Sequence, residues 1–229
     1  MTSSDDGAPT AVLFDVDGTL VDSNYLHVEA WMHALHDLGI EIDAVRLHRM
    51  IGMDGEKLLD DVLGDRVAEL GERATKLNAK YYSSLADRLR PFAGARELIA
   101  DLTHRGVRVV LATSAPEDEL ADLKKTLDVD DLLTDETSSD DVETAKPQPD
   151  VVETALKRAG STASTSIFVG DTRWDVIAAR RAGVDCIGVL TGGSSAGDLR
   201  EAGAIAVYDD VAQLRDELET SPLARLWGG

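Results

Sequence analysis

Asp15 and Asp17 stand two residues apart at the end of the apolar run Ala11-Val12-Leu13-Phe14. While a chain stays extended, residues two apart project to the same side, so the two carboxylates share a face with Val16 opposite. Held together they repel. One of them must keep its proton to a higher pH, or a cation must sit between them, and oxygen ligands of this kind suit Mg2+. Gly18 then permits a tight turn. An isolated Asp-x-Asp more often caps the turn that follows, so the pair acquires meaning only from other residues placed at the same end of the fold.

Those residues depend on the elements that carry them. Short apolar runs recur at 107–112, 166–169 and 186–190, each after a stretch of helical periodicity. The helical stretches include 93–104, 148–159, 173–182 and 209–218, and Gly106, Gly160 and Gly183 lie where helix C-termini should stop. Strands alternating with helices predict an α/β fold with a doubly wound parallel sheet, whose sites lie beyond the strands' C-terminal ends. Thr113 and Ser114 follow one such strand, Asp171 ends another, Asp175 lies one helical turn later, and Lys146 precedes Pro147 at a helix start. Between residues 23 and 90 the rhythm changes to helical spacing throughout. Tyr25, Val28, Trp31, Met32, Leu35 and Leu38 recur at helical intervals, and a long helix is expected across 66–88. The expected organisation is a discontinuous core of residues 10–22 and 91–220, a helical insertion over 23–90 and a flexible tail over 1–9. The acidic stretch 135–143 reads as a solvated loop.

The segment Asp15-Val16-Asp17-Gly18-Thr19-Leu20-Val21 resembles the signature of the haloacid dehalogenase superfamily. Three further segments match the remaining motifs in order: Leu111-Ala112-Thr113-Ser114, Ala145-Lys146-Pro147, and Phe168-Val169-Gly170-Asp171-Thr172-Arg173-Trp174-Asp175. The resemblance covers residues 10–210. It implies a Rossmann-like core and a phosphatase in which Asp15 is the nucleophile and Asp17 the acid/base. It further implies that Mg2+ is held by the side chains of Asp15 and Asp171 and the backbone carbonyl of Asp17. Thr113, Ser114, Lys146 and the backbone at Gly18 would contact the phosphoryl group, with Asp175 in support. The insertion resembles the cap of the phosphoglycolate phosphatase and β-phosphoglucomutase branch, and the implied substrate is a small phosphorylated metabolite read by cap residues, with His27, Arg49, Lys57 and Lys76 as candidates. Gly52 resembles the start of the cap's substrate loop. The mutases of that branch carry an arginine a few residues on, where this chain has Gly55. A mutase shares every core motif and stays an alternative, as does a regulatory protein on the same fold, although such a protein should have lost one of Asp15, Asp17, Lys146 or Asp171.

Composition sets outer limits. A formal net charge of -20 repels nucleic acid and anionic lipid, and it also repels phosphorylated ligands, so cations must be placed locally at any phosphate site. No run reaches the roughly 18 apolar residues of a membrane helix. The acidic N-terminus lacks the features of a secretory signal, and the single cysteine, Cys186, lies in an apolar strand, which together point to a cytoplasmic protein. A monomer or homodimer is expected. Gly193-Ser194-Ser195-Ala196-Gly197 matches a serine-hydrolase pattern, but no histidine follows it, and it reads as a Gly/Ser loop. His33 and His36 have no further ligand to complete a zinc site and read as packing or surface residues.

Overall fold

The computed structural model describes residues 7–141 and 144–227. The strands are Ala11–Phe14 (β1), Arg108–Ala112 (β2), Asp135–Thr137 (β3), Ser166–Gly170 (β4), Asp185–Val189 (β5) and Ala206–Tyr208 (β6). They form one parallel sheet in the order β3-β2-β1-β4-β5-β6. Every residue of β1 is fully buried, as a strand covered on both faces requires. Its side chains alternate between two apolar layers. Val12 and Phe14 enter one with Val109, Leu111, Ile167, Val169 and Ile187. Ala11 and Leu13 enter the other with Val110, Ala112, Phe168 and Cys186. A fully buried phenylalanine such as Phe14 or Phe168 contributes about 1.5–3 kcal/mol by leaving water.

Helices cover both faces. Ala95–His104 (α5), Glu117–Leu127 (α6) and Val211–Asp216 (α10) supply Leu98, Leu123 and Leu214 to the first layer. Asp150–Ala159 (α7), Arg173–Arg181 (α8) and Ala196–Ala202 (α9) supply Val152, Val176 and Leu199 to the second. Gly160 ends α7 at φ 61°, a left-handed conformation that glycine adopts without strain. A short turn at Pro222–Leu226 carries Leu223 and Leu226 into the first layer, beyond the expected core limit at 220.

Between β1 and β2 the chain forms four α-helices: Asn24–Asp37 (α1), Ala44–His48 (α2), Gly55–Leu63 (α3) and Val67–Ser83 (α4). They bury an apolar cluster of their own, with Trp31, Leu35, Leu47, Leu58 and Leu70. Two strands of chain join them to the core and run side by side: Asp22 N–H donates to the Arg90 carbonyl at 2.9 Å, and Phe92 N–H to the Leu20 carbonyl at 2.9 Å.

The acidic stretch 135–143 departs from the loop expected for it. Asp135–Thr137 is the edge strand β3, because Thr137 is buried and the two acids beside it are neutralised: Arg158 donates to Asp135 at 2.9 Å and Lys124 to Glu136 at 2.7 Å. A charged edge of this kind also discourages pairing with another sheet. Residues 142 and 143 of that stretch, and residues 1–6 of the expected tail, lie outside the described residues. Pro9 is tied down through its carbonyl, which accepts from Thr165 Oγ1 at 3.0 Å. No helix among the described residues is long and apolar enough to cross a membrane.

Candidate active site

The sheet order reverses between β1 and β4, and a parallel sheet opens a crevice at that point, beyond the strands' C-terminal ends. β1 and β4 run in register, Phe14 opposite Val169. Asp15 and Asp171 therefore emerge side by side, each just past its strand. Asp15 N–H still donates to the Val169 carbonyl at 2.9 Å, so the backbone of the first aspartate is held by the sheet itself.

Lys146 brings the positive charge. It is almost fully buried, its Nζ pairs with Asp15 Oδ1, and it lies 2.6 Å from Asp175 Oδ1. Burial works against its charge, but the two carboxylates outweigh burial and raise its pKa above the ordinary lysine value. Asp175 is oriented by Thr172, whose N–H and Oγ1 donate to its Oδ2 at 2.9 and 2.6 Å. This capping box opens α8, so one carboxylate both starts a helix and holds the buried ammonium.

Asp15, Asp171 and Asp175 each place an oxygen within 4.8 Å of the others, all buried. Burial pushes the Asp15 carboxyl up to about 7, with Asp175 and Asp17 adding to the rise and Lys146 opposing it. Burial, then Asp175 and Asp15, raises Asp171 well above the carboxylate range. Thr19 Oγ1 reaches Asp171 Oδ1 at 2.9 Å and Asp15 Oδ2 at 3.2 Å, a single proton shared between two acceptors. Asn24 Nδ2 donates to Asp171 Oδ2 at 2.8 Å. Such crowded oxygens, short of cations, fit a divalent metal. Asp15 and Asp175 both pair with Lys146 and Asp171 accepts from Thr19 and Asn24, and each carboxylate keeps lone pairs that could take a metal.

Asp17 faces elsewhere. Its Oδ1 accepts from Ser23 Oγ at 2.6 Å and lies 3.2 Å from His27 Nε2. Burial would raise its pKa, but the hydrogen bond and charge of His27, with the Ser23 hydroxyl, bring it below the ordinary value. His27 rises correspondingly, against its own burial. The His27 ring stacks on Tyr82 at 3.9 Å, which fixes its orientation. The Asp17 carboxylate is thus outside the three-carboxylate group, and only its backbone carbonyl is available to a metal. That carbonyl and the N–H groups of Val16 and Asp17 make no hydrogen bond among the described residues.

Gly18, expected at the phosphate, lies in the turn after Asp17. Its N–H donates to the Val21 carbonyl at 2.8 Å and is not free for an anion. What it contributes is space: at φ 75°, a Cβ there would lie 2.2 Å from Asn24 Nδ2 and 2.7 Å from Asp171 Oδ2. The free amides are those of Val16 and Asp17. Thr113 Oγ1 accepts from Ala115 N–H at 3.0 Å, which leaves its own proton to donate, and Ser114 lines the same cavity, of about 280 Å³, as Asp15, Asp17 and Lys146.

Of the insertion's candidates, only His27 lines this cavity. Arg49 borders a separate cleft, and Lys76 pairs with Glu72 on the surface at 2.5 Å. Lys57 does not reach the cavity wall either, because its helix turns Gly55 and Leu58 inward. Asp54 closes the gap between insertion and core: its N–H donates to the Lys146 carbonyl at 2.8 Å and its Oδ2 accepts from Ala145 N–H at 3.3 Å. Ser195, from the serine-hydrolase pattern, accepts from Asp198 N–H at 3.1 Å and caps α9. His33 stacks on Tyr81 and His36 pairs with exposed Glu41.

Sequence reasoning did not find Thr19, Asn24 or Gly192. Thr19 and Asn24 follow Asp17 so closely in the chain that proximity was the available signal. Gly192 follows β5 in the row of strand ends, and a Cβ there would lie 1.6 Å from Asp171 Oδ2.

Residues 12–189 match the family model described as haloacid dehalogenase-like hydrolase. A phosphoglycolate phosphatase of Pseudomonas syringae pv. syringae is 30% identical over 213 residues, covering 90% of this chain and 78% of that protein. A crystal structure of a hydrolase from Pseudomonas syringae superposes with a TM-score of 0.87 at 35% identity, covering 92% of this chain and 98% of that one. The fold is also that of a β-phosphoglucomutase from Clostridium difficile, with a TM-score of 0.79 at 21% identity over 96% of this chain and 97% of that one. An aspartate just past β1, a second just past β4 and a buried lysine paired with the first therefore sit in a chain that belongs to the haloacid dehalogenase-like hydrolases, beside the phosphoglycolate phosphatases.

Proposed function

We propose that the chain is a Mg2+-dependent phosphatase that hydrolyses a small phosphorylated metabolite, of the phosphoglycolate or sugar phosphate type, through an aspartyl-phosphate. The observation that carries this reading is Lys146, buried between Asp15 and Asp175 with Asp171 beside them. A chain of net charge -20 has little other reason to bury a lysine at the one point where a phosphate would have to approach. In the first step an Asp15 oxygen attacks phosphorus, the ester P–O bond breaks, and the departing alcohol oxygen takes a proton from the Asp17–His27 pair. In the second, water attacks the phosphoryl group and returns a proton to that pair, freeing Asp15 and inorganic phosphate. Lys146, Thr113 and the amides of Val16 and Asp17 hold the phosphoryl oxygens. The Asp15 and Asp171 side chains and the Asp17 carbonyl would hold Mg2+, which would supply Lewis-acid charge neutralisation. The insertion acts as a cap that excludes water and reads the leaving group.

Among the described residues the cavity wall carries no cation besides Lys146 and His27, each already paired with an aspartate. A mutase must bind a second phosphate on its substrate, so this wall favours water as the acceptor. The test is release of phosphate from a chromogenic monoester. Turnover is expected with Mg2+ and should fall to background after chelation. Turnover that survives chelation unchanged would contradict the metal requirement, and none from any ester would contradict the phosphatase.

Asp17 and His27 titrate as a pair. Because Asp17 raises His27 above its ordinary 6.5, the pair keeps its proton at higher pH than a lone carboxyl would. In His27→Ala the basic limb of the kcat profile is therefore expected to move to lower pH; an unmoved limb would show that His27 only packs.

Gly192→Ala must push Asp171 or Asn24 aside, since the new Cβ would lie 1.6 Å from one and 2.6 Å from the other. Displacements near 1 Å cost about 100-fold in rate. A loss of that order in kcat/KM and a weaker Mg2+ activation constant are expected, with Gly197→Ala, whose Cβ would have ordinary contacts, as the control.

A further inference from the structure

The cavity has two ends of different chemistry. Asp15, Lys146 and Thr113 line it from the core; the rest of the lining, where a leaving group would lie under the insertion, includes Trp31, Met53 and Leu58 and, from the core, Glu119. Glu119 makes no hydrogen bond or ion pair among the described residues. Burial pushes it up to about 7; His27 opposes the rise, and Asp17 and Asp118 add to it. Once ionised, Glu119 is an acceptor on the leaving-group space, and among the described residues no cation other than Lys146 and His27 lines the cavity. An acceptor left unpaired in a partly buried wall carries a penalty that a ligand's donor removes. A ligand carboxylate would add a second acceptor beside it and raise that penalty.

Resting on the phosphatase reading above, we propose that Glu119 selects a leaving group rich in hydrogen-bond donors, hydroxyl or ammonium, and rejects phosphorylated carboxylates. Phosphoglycolate, the substrate named for relatives at 30% identity, is then a poor substrate for this chain. The Glu119 carboxylate acts at a distance from the transferring group and takes no part in bond making. Its effect lies in how the leaving alcohol binds, so it appears in the relative kcat/KM of competing esters.

The test compares kcat/KM for phosphoglycolate, glycerol 3-phosphate and phosphoethanolamine on the Mg2+-loaded full chain and on Glu119→Gln and Glu119→Lys. Wild type is expected to favour both donor-bearing esters over phosphoglycolate by at least tenfold. The phosphoglycolate-to-glycerol-phosphate ratio is expected to rise at least tenfold in Glu119→Gln and further in Glu119→Lys. Such a ratio is independent of the folded fraction of a preparation. Preference for phosphoethanolamine over glycerol phosphate that disappears in Glu119→Gln identifies charge as the recognised feature; equal use of the two identifies hydrogen-bond donation. Phosphoglycolate as the best substrate, or ratios unmoved by both variants, would overturn the proposal while leaving the phosphatase intact. Failure to turn over any of these esters or the chromogenic one would overturn both.

Discussion

Asp15→Asn is expected to lower kcat by roughly 10⁴-fold or more, as removal of a nucleophile does where the rest of the machinery has nothing to substitute for it. The amide is close to isosteric, and the backbone at this position is held by the Val169 carbonyl, so the fold should survive. Stability should change little. The substitution removes one partner of Lys146, but it also removes a carboxyl that burial has pushed up to about 7 and that opposes Asp175. These effects have opposite signs. The measurements are phosphate release under single-turnover conditions, trapping of the phosphorylated protein by rapid acid quench, and thermal denaturation. Residual turnover within tenfold of wild type, or a phosphoryl group found on another residue, would rule out Asp15 as the nucleophile.

Lys146→Met should give the largest loss of stability. Methionine fills similar volume but leaves Asp15 and Asp175 buried without a counter-charge, and breaking a buried pair on one side costs about 3–5 kcal/mol. For a chain of this size that corresponds to a fall in Tm of roughly 6–20 °C. The deficit must depend on pH. Lys146 lowers the Asp15 pKa, so its loss drives that carboxyl above about 7. A carboxyl raised in the folded state binds protons that the unfolded chain has released. Stability therefore falls as pH rises from the ordinary value of 3.8 through the raised one, and returns as pH falls. Denaturant unfolding at pH 5 and pH 8 should show a smaller deficit at pH 5. Equal deficits, or one under about 1 kcal/mol, would mean that the pair is balanced by its desolvation and adds no net stability.

How far the chain could be read in advance follows from which signals are local. The central strands were legible because burial on both faces leaves an unbroken apolar run, and Asp15 and Asp171 were legible because an acid that interrupts such a run is conspicuous. Thr113 and Lys146 depended on motif order, since a hydroxyl or a lysine carries no signal of its own. β3 was illegible: its two acids find Arg158 and Lys124 only after folding, and polarity alone suggested a loop. The pairing of His27 with Asp17 was hidden for a related reason. A histidine one helical stretch beyond the motif could face substrate, solvent or the acid, and only the path of α1 away from β1 selects among them. Glu119 stands on α6, far along the chain from the insertion whose side chains share its cavity, and nothing in its local sequence announces that.

The alternation that sorts Phe14 and Phe168 into opposite layers bears on how such a chain can change over generations. Slipping β4 by one residue against β1 would turn Phe168 and Val169 to the wrong faces, at a cost to folding far larger than any one side chain of the site. Selection for a soluble, folded chain therefore also preserves the spacing of Asp15 and Asp171, even in a lineage that no longer needs the reaction. Decay of the activity would have to be written in replaced side chains, where it can be read, and not in gradual drift of the backbone.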